Sequence, residues 1–348
     1  MAETLALACP GEPSERLNGV LNAALRGCPH ERISWLTDRL CNRRLLFALP
    51  ISAGGPGHGF YDLLAFLRTH PGCLSGSVGG VVTDGAGDLY TKSAARELVL
   101  AASLAGCTFP GRPLVEATGS LRNFTVQAKN ANCSLPEAYR LAVVDLAQRV
   151  LSFSPPRRQQ PKLLVLHASS RSTSNTLALW SHVRARLKPR CVVTEIGLRN
   201  GTLEDCAGCP YTTCLHFGEQ GSCFYGGVMV QEVYPAIRDA DAVVLLCPNY
   251  NDALSANLTA AVNRLTALYR TTSFAEKAVF AIVVSGYSGG DIVASQVVSA
   301  LNMNKGFWLP ADFCLLETAN DKGEAERLPG IAERLEQFAE RISEQLTT

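Results

Sequence analysis

The sequence lacks the features that mark a membrane protein or a nucleic-acid-binding protein. No apolar run reaches the ~20 residues that a membrane-spanning helix needs. The amino-terminal stretch has no basic segment ahead of a long apolar one, so we expect neither a secretory signal nor a membrane anchor. Charge of one sign is also lacking, because 32 Lys and Arg face 31 Asp and Glu, a formal net charge of +1. This balance argues against nucleic acid as a main partner.

Cysteine, in contrast, is plentiful. The chain has 13 cysteines, an odd number, and most of them lie scattered through apolar segments. This usage favours a reducing compartment over a disulfide framework, so we expect a cytoplasmic protein.

The length and the composition predict two domains. The chain has 348 residues, about twice a usual domain, and 47% of them are hydrophobic, which is enough for sizeable cores. Residues 152–161 are proline-rich, polar and charged and carry no apolar period, which is typical of a linker. We therefore predict a first domain over residues 1–151 and a second over residues 162–348.

Short apolar runs alternate with amphipathic helices in both halves, which predicts parallel sheets covered by helices on both faces. The predicted strands are 4–9, 33–36, 45–50, 78–83 and 114–116 in the first half and 163–166, 191–196, 242–247, 278–285 and 313–317 in the second. The order and spacing of strands, loops and helices correspond between the halves. We interpret the chain as an internal duplication of one doubly wound, five-stranded α/β domain.

The loop after the first strand of the second half is a candidate phosphate-binding loop. Its nine residues, 168–176, are small or polar, and a helical apolar pattern follows them. A helix start has free backbone N–H groups and the positive end of the helix dipole, and both favour a phosphate. Ser169, Ser174 and Thr176 add hydroxyl groups, and Arg171 adds a positive charge. The alternative is a capped surface turn.

Two further loops should lie beside it, because all three follow strands whose carboxyl ends meet at one sheet edge, where ligands of such sheets bind. A planar ring with polar edges on a phosphate tail would fit the three loops together. The candidate residues of these two loops are Pro248, Asn249, Tyr250, Asn251, Ser285, Gly286, Tyr287 and Gly289.

The second half, roughly residues 162–345, resembles the flavodoxin-like NAD(P)H-dependent FMN reductases, which include the iron–sulfur flavoproteins. In that family a loop close to Gly-Ser-Pro-Arg-x-x-Gly-Asn-Thr binds the FMN phosphate, and its serine, arginine, asparagine and threonine fall on Ser169, Arg171, Asn175 and Thr176. The family's Pro-x-Tyr turn, which packs on the isoalloxazine ring, is matched at residues 248–250, and its Gly-Gly loop at 285–290. Alanine and serines replace the loop's Gly, Pro and Gly, and the family's Asp-Arg is here Asn263-Arg264.

The resemblance implies an oxidoreductase in which bound FMN takes a hydride from NADH or NADPH. The electrons would pass to a small acceptor such as a quinone, a free flavin or a metal centre. No catalytic side chain is predicted, because the chemistry belongs to the flavin and the protein supplies position and electrostatics. The alternative is a non-enzymatic flavoprotein that acts as an electron carrier or a redox sensor.

A cysteine segment, residues 206–223, lies within the second half. Its four cysteines are candidate ligands of a metal or an iron–sulfur cluster. Iron–sulfur flavoproteins have two residues between the second and third cysteines and few before the fourth, whereas this chain has four and eight. Zinc, free thiols and a redox disulfide therefore stay open as alternatives. The four candidates are Cys206, Cys209, Cys214 and Cys223.

The corresponding first loop of the first half, residues 9–16, carries two prolines and two glutamates where the second-half loop has its hydroxyls, arginine and amide. Prolines lack N–H donors and glutamates repel phosphate, so we predict that this half keeps the fold without binding flavin. Flavin reductases of this type commonly dimerise with the flavin close to the partner. The first half could supply that partner within one chain through its loop 53–61, or it could simply stabilise the second half. A homodimer is the further alternative.

Overall fold

The computed structural model describes residues 4–35, 39–169, 173–187 and 190–348. It divides the chain into two compact units, Met1–Ser154 and Pro155–Thr348. Within the described residues, no helix is both long and apolar enough to cross a membrane.

The first unit is built on a mostly parallel sheet. Its strands are β1 (Leu5–Ala8), β2 (His30–Ile33), β3 (Arg44–Ser52), β4 (Gly55–Pro56), β5 (Ser77–Gly85), β6 (Cys107–Thr108) and β7 (Leu114–Ala117). Its α-helices are α1 (Glu15–Ala24), α2 (His58–Thr69), α3 (Thr91–Leu104), α4 (Thr125–Ala131) and α5 (Leu135–Ser152), and a 3-10 turn spans Arg122–Phe124.

The main strands follow the order β2-β1-β3-β5, and β6 and β7 pair in succession along β5. The two short strands therefore share one interrupted edge position. β4 forms a small antiparallel hairpin with the end of β3. Without that hairpin, five parallel positions remain in the flavodoxin-like order 2-1-3-4-5.

The second unit repeats this order without interruption. Its strands are β8 (Lys162–His167), β9 (Val192–Gly197), β10 (Ala242–Pro248), β11 (Ala278–Ser285) and β12 (Cys314–Thr318). They pair in parallel in the order β9-β8-β10-β11-β12. Its α-helices are α6 (Asn175–Leu187), α7 (Tyr211–Glu219), α8 (Tyr234–Asp239), α9 (Ala256–Tyr269), α10 (Gly290–Val297) and α11 (Ile331–Leu346). π-helical turns span Met229–Val233 and Val298–Lys305, and a 3-10 turn spans Ala325–Arg327.

The predicted fold class, two tandem flavodoxin-like doubly wound sheets, is confirmed. The apolar runs became the buried strands because both faces of the central strands are covered; every residue of β11 is buried. The apolar stripe predicted for the closing helix also packs inward, and Phe338 meets Phe280 edge to face at 6.3 Å.

One local prediction for the first half was wrong. The second strand lies at residues 30–33 instead of 33–36, and residue 36 lies outside the described part of the chain. β2 is a largely exposed edge strand, so its sequence carries no apolar run to mark it. The segment between β3 and α2 carries β4, and positive φ at Gly55 permits its hairpin with β3.

The centre of the first sheet is packed so closely that β5 carries glycine where a side chain would collide. A Cβ at Gly80 would lie 2.8 Å from Val150 and 3.1 Å from Leu146, both on α5. A Cβ at Gly79 would lie 2.6 Å from the Phe109 ring on the other face. The pair of glycines thus lets helix and loop side chains rest directly on the strand backbone.

We expect Gly80→Ala to lower the free energy of unfolding of the first unit by about 1–3 kcal/mol, the usual cost of overpacking. Hydrogen exchange of peptides from residues 77–85 in the full chain measures the change. Gly87→Ala is the matched control, because a Cβ at Gly87 would meet nothing within 4 Å. Equal protection in both variants would contradict the close packing of α5 on β5.

Candidate functional site

One amide joins two of the predicted loops at the carboxyl edge of the second sheet. The Asn249 backbone N–H donates to Val284 O at 2.9 Å, which continues the pairing of β10 with β11. The Asn249 side-chain amide donates to Ser285 Oγ at 3.2 Å and to Ser288 O at 2.9 Å. The turns after β10 and β11 are therefore held side by side, as the sequence predicted.

The same edge presents two unusually exposed aromatic rings. Tyr250 is 62% exposed and Tyr287 is 82% exposed, one on each of the two joined turns. Gly289, between the turns, has φ of 81°, and a Cβ there would collide with Asp252. The turns thus approach each other through a position that favours glycine, and they leave aromatic faces open to a planar ligand.

In the loop after β8, residues 168–176, some side chains cap α6 and one buried hydroxyl has no partner among the described residues. Ser174 caps α6, because its Oγ accepts the Leu177 N–H at 3.2 Å and lies 2.8 Å from Thr176 Oγ1. Thr176 itself is buried. Ser169 Oγ is buried and has no hydrogen-bond partner among the described residues. Arg171 lies outside the described residues.

The side chain of Asn175 is bound to the loop after β12. Its side-chain nitrogen donates to Asp321 O at 3.0 Å and to Ala319 O at 3.4 Å, and its side-chain oxygen accepts the Gly323 N–H at 3.0 Å. The amide therefore fastens the loop after β12 to the start of α6, and its hydrogen-bonding groups are engaged there.

The loop after β12, residues 319–324, is the part of this edge that sequence reasoning missed. Its Ala319 N–H donates to Ser285 O at 2.8 Å. The Glu324 carboxylate accepts the N–H groups of Asp321 and Asn320, which lower its pKa. Its place directly after the fifth predicted strand was the available signal, since every loop after a parallel strand meets the same edge.

The first unit has a cleft of about 610 Å³ at the equivalent edge, and an ion pair lies in its wall. Ser14 caps α1 by accepting the Leu17 N–H at 3.0 Å, as Ser174 caps α6. Arg16 then binds Asp84 at 2.9 Å, Gly85 O at 2.8 Å and Gly119 O at 3.1 Å. Asp84 is buried, with 4% of its side chain exposed. A guanidinium thus joins the ends of β5 and β7 in this unit.

The four cysteines do not form a metal site in the structure. Among the described residues, no group of three or more His, Cys, Asp or Glu side chains could hold a metal ion. The cysteines instead lie near two different tyrosines. Burial, followed by the sulfur of Cys209, raises the pKa of Tyr225, whereas burial, followed by the sulfur of Cys223, raises that of Tyr234. The predicted iron–sulfur cluster is therefore not supported, because its ligands do not converge.

The pair Asn263-Arg264, which departs from the family's Asp-Arg, holds the cysteine segment on α9. Arg264 is only 2% exposed. It donates to Glu204 O at 3.4 Å and to Gly226 O at 2.7 Å, on either side of the segment. Asn263 donates to Asp205 Oδ1 at 3.0 Å. The asparagine therefore pairs with a carboxylate that directly precedes the segment.

The family model for NADPH-dependent FMN reductases matches residues 161–321, slightly less than half of the chain. The match confirms the resemblance predicted for the second half, which is a flavodoxin-like domain of the FMN reductase type. It supports the predicted class of enzyme, an NAD(P)H-dependent flavin oxidoreductase. No curated protein matches the chain significantly.

A comparison with solved structures finds, among others, three proteins that are similar to this chain at low sequence identity. RosB with a bound flavin-derived intermediate is 15% identical, with a TM-score of 0.42 over 53% of this chain and 78% of RosB. The apo form of the NADH:FMN oxidoreductase EMOB is 15% identical, with a TM-score of 0.38 over 54% of this chain and 91% of EMOB. An azoreductase from Bacillus anthracis is 16% identical, with a TM-score of 0.40 over 53% of this chain and all of the azoreductase (100%).

The residues present at the edge fit the FMN that this family implies. Ser169 Oγ and Asn249 Oδ1 are buried polar atoms without partners among the described residues, so each can still bind a polar ligand. The two exposed tyrosine rings offer apolar surface to a flat ring. The phosphate group, the polar rim and the flat ring of FMN thus each have a chemically matching group along this edge of the sheet.

We expect Arg16→Ala to destabilise the first unit by about 2–3 kcal/mol, because it leaves the Asp84 carboxylate buried without its charge partner. The value stays below that for a fully buried pair because 34% of the Arg16 side chain is exposed. Hydrogen exchange at β5 in the full chain measures it. Arg140→Ala, which removes a surface pair with Glu137, should leave protection unchanged; a similar loss in both variants would contradict a structural role for Arg16.

We expect Asn175→Ala to speed hydrogen exchange in peptides covering residues 319–324, because the loop loses three hydrogen bonds to one side chain. Asn304→Ala is the control, since the Asn304 amide binds only Ser299 O on its own helix. Unchanged exchange in the Asn175 variant would show that the loop is held by Ala319 and Glu324 alone.

Proposed function

We propose that this protein is an NAD(P)H-dependent oxidoreductase that binds FMN at the carboxyl edge of its second sheet. A quinone, a free flavin or another small molecule would receive the electrons. One observation carries the proposal: the segment that matches the FMN reductase family contains unpartnered buried polar atoms and exposed aromatic rings at the edge where such sheets bind ligands.

Each part of the edge has a role in this proposal. Ser169, with Arg171 as the sequence predicts, holds the phosphate group near the start of α6, where the helix dipole also favours an anion. Ser174 orders that start by capping it. Tyr250 and Tyr287 flank the ring, and Asn249 keeps their two turns in register. When bound, FMN supplies the hydride and electron transfer.

No side chain at this edge needs to act as a general acid or base. Hydride transfer to a flavin requires the donor and the ring to be held face to face with water kept away. The exposed tyrosine rings offer the apolar surface for that arrangement. Asn175 acts one step further out, because it positions the loop after β12 beside the turn that carries Tyr287.

For the first unit we propose a supporting role without flavin. Its Arg16–Asp84 pair joins the ends of β5 and β7 at the edge equivalent to the proposed FMN edge of the second unit. A pseudo-dimer within one chain and a homodimer are both compatible with the dimerisation expected of FMN reductases. The balanced charge and the odd number of scattered cysteines in the sequence support a cytoplasmic location and a small-molecule partner.

An electron carrier or redox sensor is the second candidate. It is favoured by the exposed thiol of Cys206 and the half-buried thiol of Cys209, which lie close together in an irregular segment ahead of α7. Addition of NADPH under anaerobic conditions separates the two functions. In an oxidoreductase, the donor reduces the flavin, and the visible absorbance of the oxidised flavin is lost. A flavin that stays oxidised favours the carrier or sensor.

We expect Ser169→Ala and Tyr250→Ala each to weaken FMN binding about 10–100-fold, which corresponds to the loss of a hydrogen bond to a charged group or of one aromatic contact. Flavin content after purification and titration of the apoprotein with FMN measure the change. Glu15→Gln in the first unit should bind FMN like the parent chain. A parent protein that is colourless and stays so with added FMN would refute the proposed function.

A further inference from the structure

The turn after β10 has a backbone conformation that few residues adopt. It spans residues 250–253, and the Ala253 N–H donates to Tyr250 O at 3.3 Å. Its two central residues, Asn251 and Asp252, have φ of 56° and 54°. Positive φ at both central positions is characteristic of a type I′ turn, which glycine, asparagine and aspartate adopt most readily. The turn therefore has one defined and narrow shape.

This turn takes little support from the hydrophobic core. The Tyr250 side chain is 62% exposed, and Asn251 and Asp252 are exposed as well. Burial of apolar surface therefore contributes little to the shape of the turn, and hydrogen bonds have to order it. One of them comes from Asn249, whose side-chain amide donates to Asp252 Oδ1 at 3.1 Å.

Gln296, near the end of α10, holds the same turn at two points. Its Oε1 accepts the Leu254 N–H at 2.9 Å, and its Nε2 donates to Asp252 O at 2.8 Å. The donor and the acceptor of one half-buried amide are thus both bound to the backbone of one short segment. Because α10 begins directly after the turn that carries Tyr287, Gln296 ties the Tyr250 turn to the helix that follows the Tyr287 turn.

We infer that Gln296 is a positioning residue for FMN, which acts by holding the Tyr250 turn in the shape that places the tyrosine ring against the flavin. Asn249 joins the two aromatic turns at the strand ends, and Gln296 braces the first of them from α10. A surface that is already ordered in its binding shape binds more tightly, because no ordering cost arises on binding. This inference rests on the proposed function, in which Tyr250 flanks the ring.

A purely structural role for Gln296 is the alternative. In that case its loss would weaken the second unit whether or not the Tyr250 ring is present. A residue that acts through Tyr250, in contrast, has no effect on FMN binding once that ring is removed. A double-mutant cycle separates the two roles, because it measures the coupling between the two side chains.

The experiment measures FMN affinity by titration of the apoprotein for the full parent chain, Gln296→Met, Tyr250→Ala and the double variant. Methionine keeps an unbranched side chain of similar length but has no amide. We expect Gln296→Met to weaken FMN binding about 10-fold in the parent chain, and less than about 2-fold in the Tyr250→Ala background. Gln337→Met is the matched control, because the Gln337 amide donates to Glu333 on its own helix at 3.2 Å, and this variant should bind FMN like the parent.

Hydrogen exchange of the apoproteins shows whether the change is local. In Gln296→Met, peptides covering residues 249–255 should exchange faster, because the turn has lost two backbone hydrogen bonds to α10. Peptides from the buried strand β11 should keep the protection of the parent chain. Lost protection in β11 would mean that Gln296 supports the whole unit, and this result would overturn the positioning role.

Two affinity results would also overturn it. One is a Gln296→Met variant that binds FMN as tightly as the parent, and the other is an equal loss of affinity with and without the Tyr250 ring. Both leave FMN binding by the parent chain intact, so they refute only the role of Gln296. A parent chain that binds no FMN refutes the proposed function itself.

Discussion

Parallel pairing in the order β9-β8-β10-β11-β12 is the constraint on which the second unit depends. Because every strand runs in the same direction, segments far apart in the sequence end at one edge. Hydrogen bonds between the loops then fix their positions there. Asn249 links the turns after β10 and β11, and Asn175 links the start of α6 to the loop after β12. Site and fold are thus consequences of the same strand order.

The two units solve one structural problem with different side chains. Both cap their first helix with a serine, Ser14 or Ser174, and both tie the start of that helix to the loop after the last strand. The first unit uses the Arg16 guanidinium and the second uses the Asn175 amide. This correspondence supports the interpretation of the chain as a duplication.

The position of the cysteine segment is set by tertiary hydrogen bonds to α9, which its spacing of cysteines does not reveal. Its four sulfurs lie near two separate tyrosines, and its two ends are held by Arg264 and Asn263 from α9. A buried guanidinium that binds backbone carbonyl groups keeps its charge solvated by the chain itself. The segment is thereby fixed to the helix that follows the turn carrying Tyr250.

The sequence by itself determined the fold class and the repetition of one strand-and-helix pattern in both halves. It also determined which three loops share the carboxyl edge of the second sheet. Apolar runs long enough for doubly buried strands leave few other arrangements, and the loops after parallel strands must share an edge. Only the tertiary structure decided which polar groups are free there. Asn175 and Asn249 both lie in predicted loops. The side-chain nitrogen and oxygen of Asn175 are both hydrogen-bonded, whereas the side-chain oxygen of Asn249 has no partner among the described residues. Hydrogen bonding depends on partners distant in sequence, such as Gly323 for Asn175, and no local pattern encodes them.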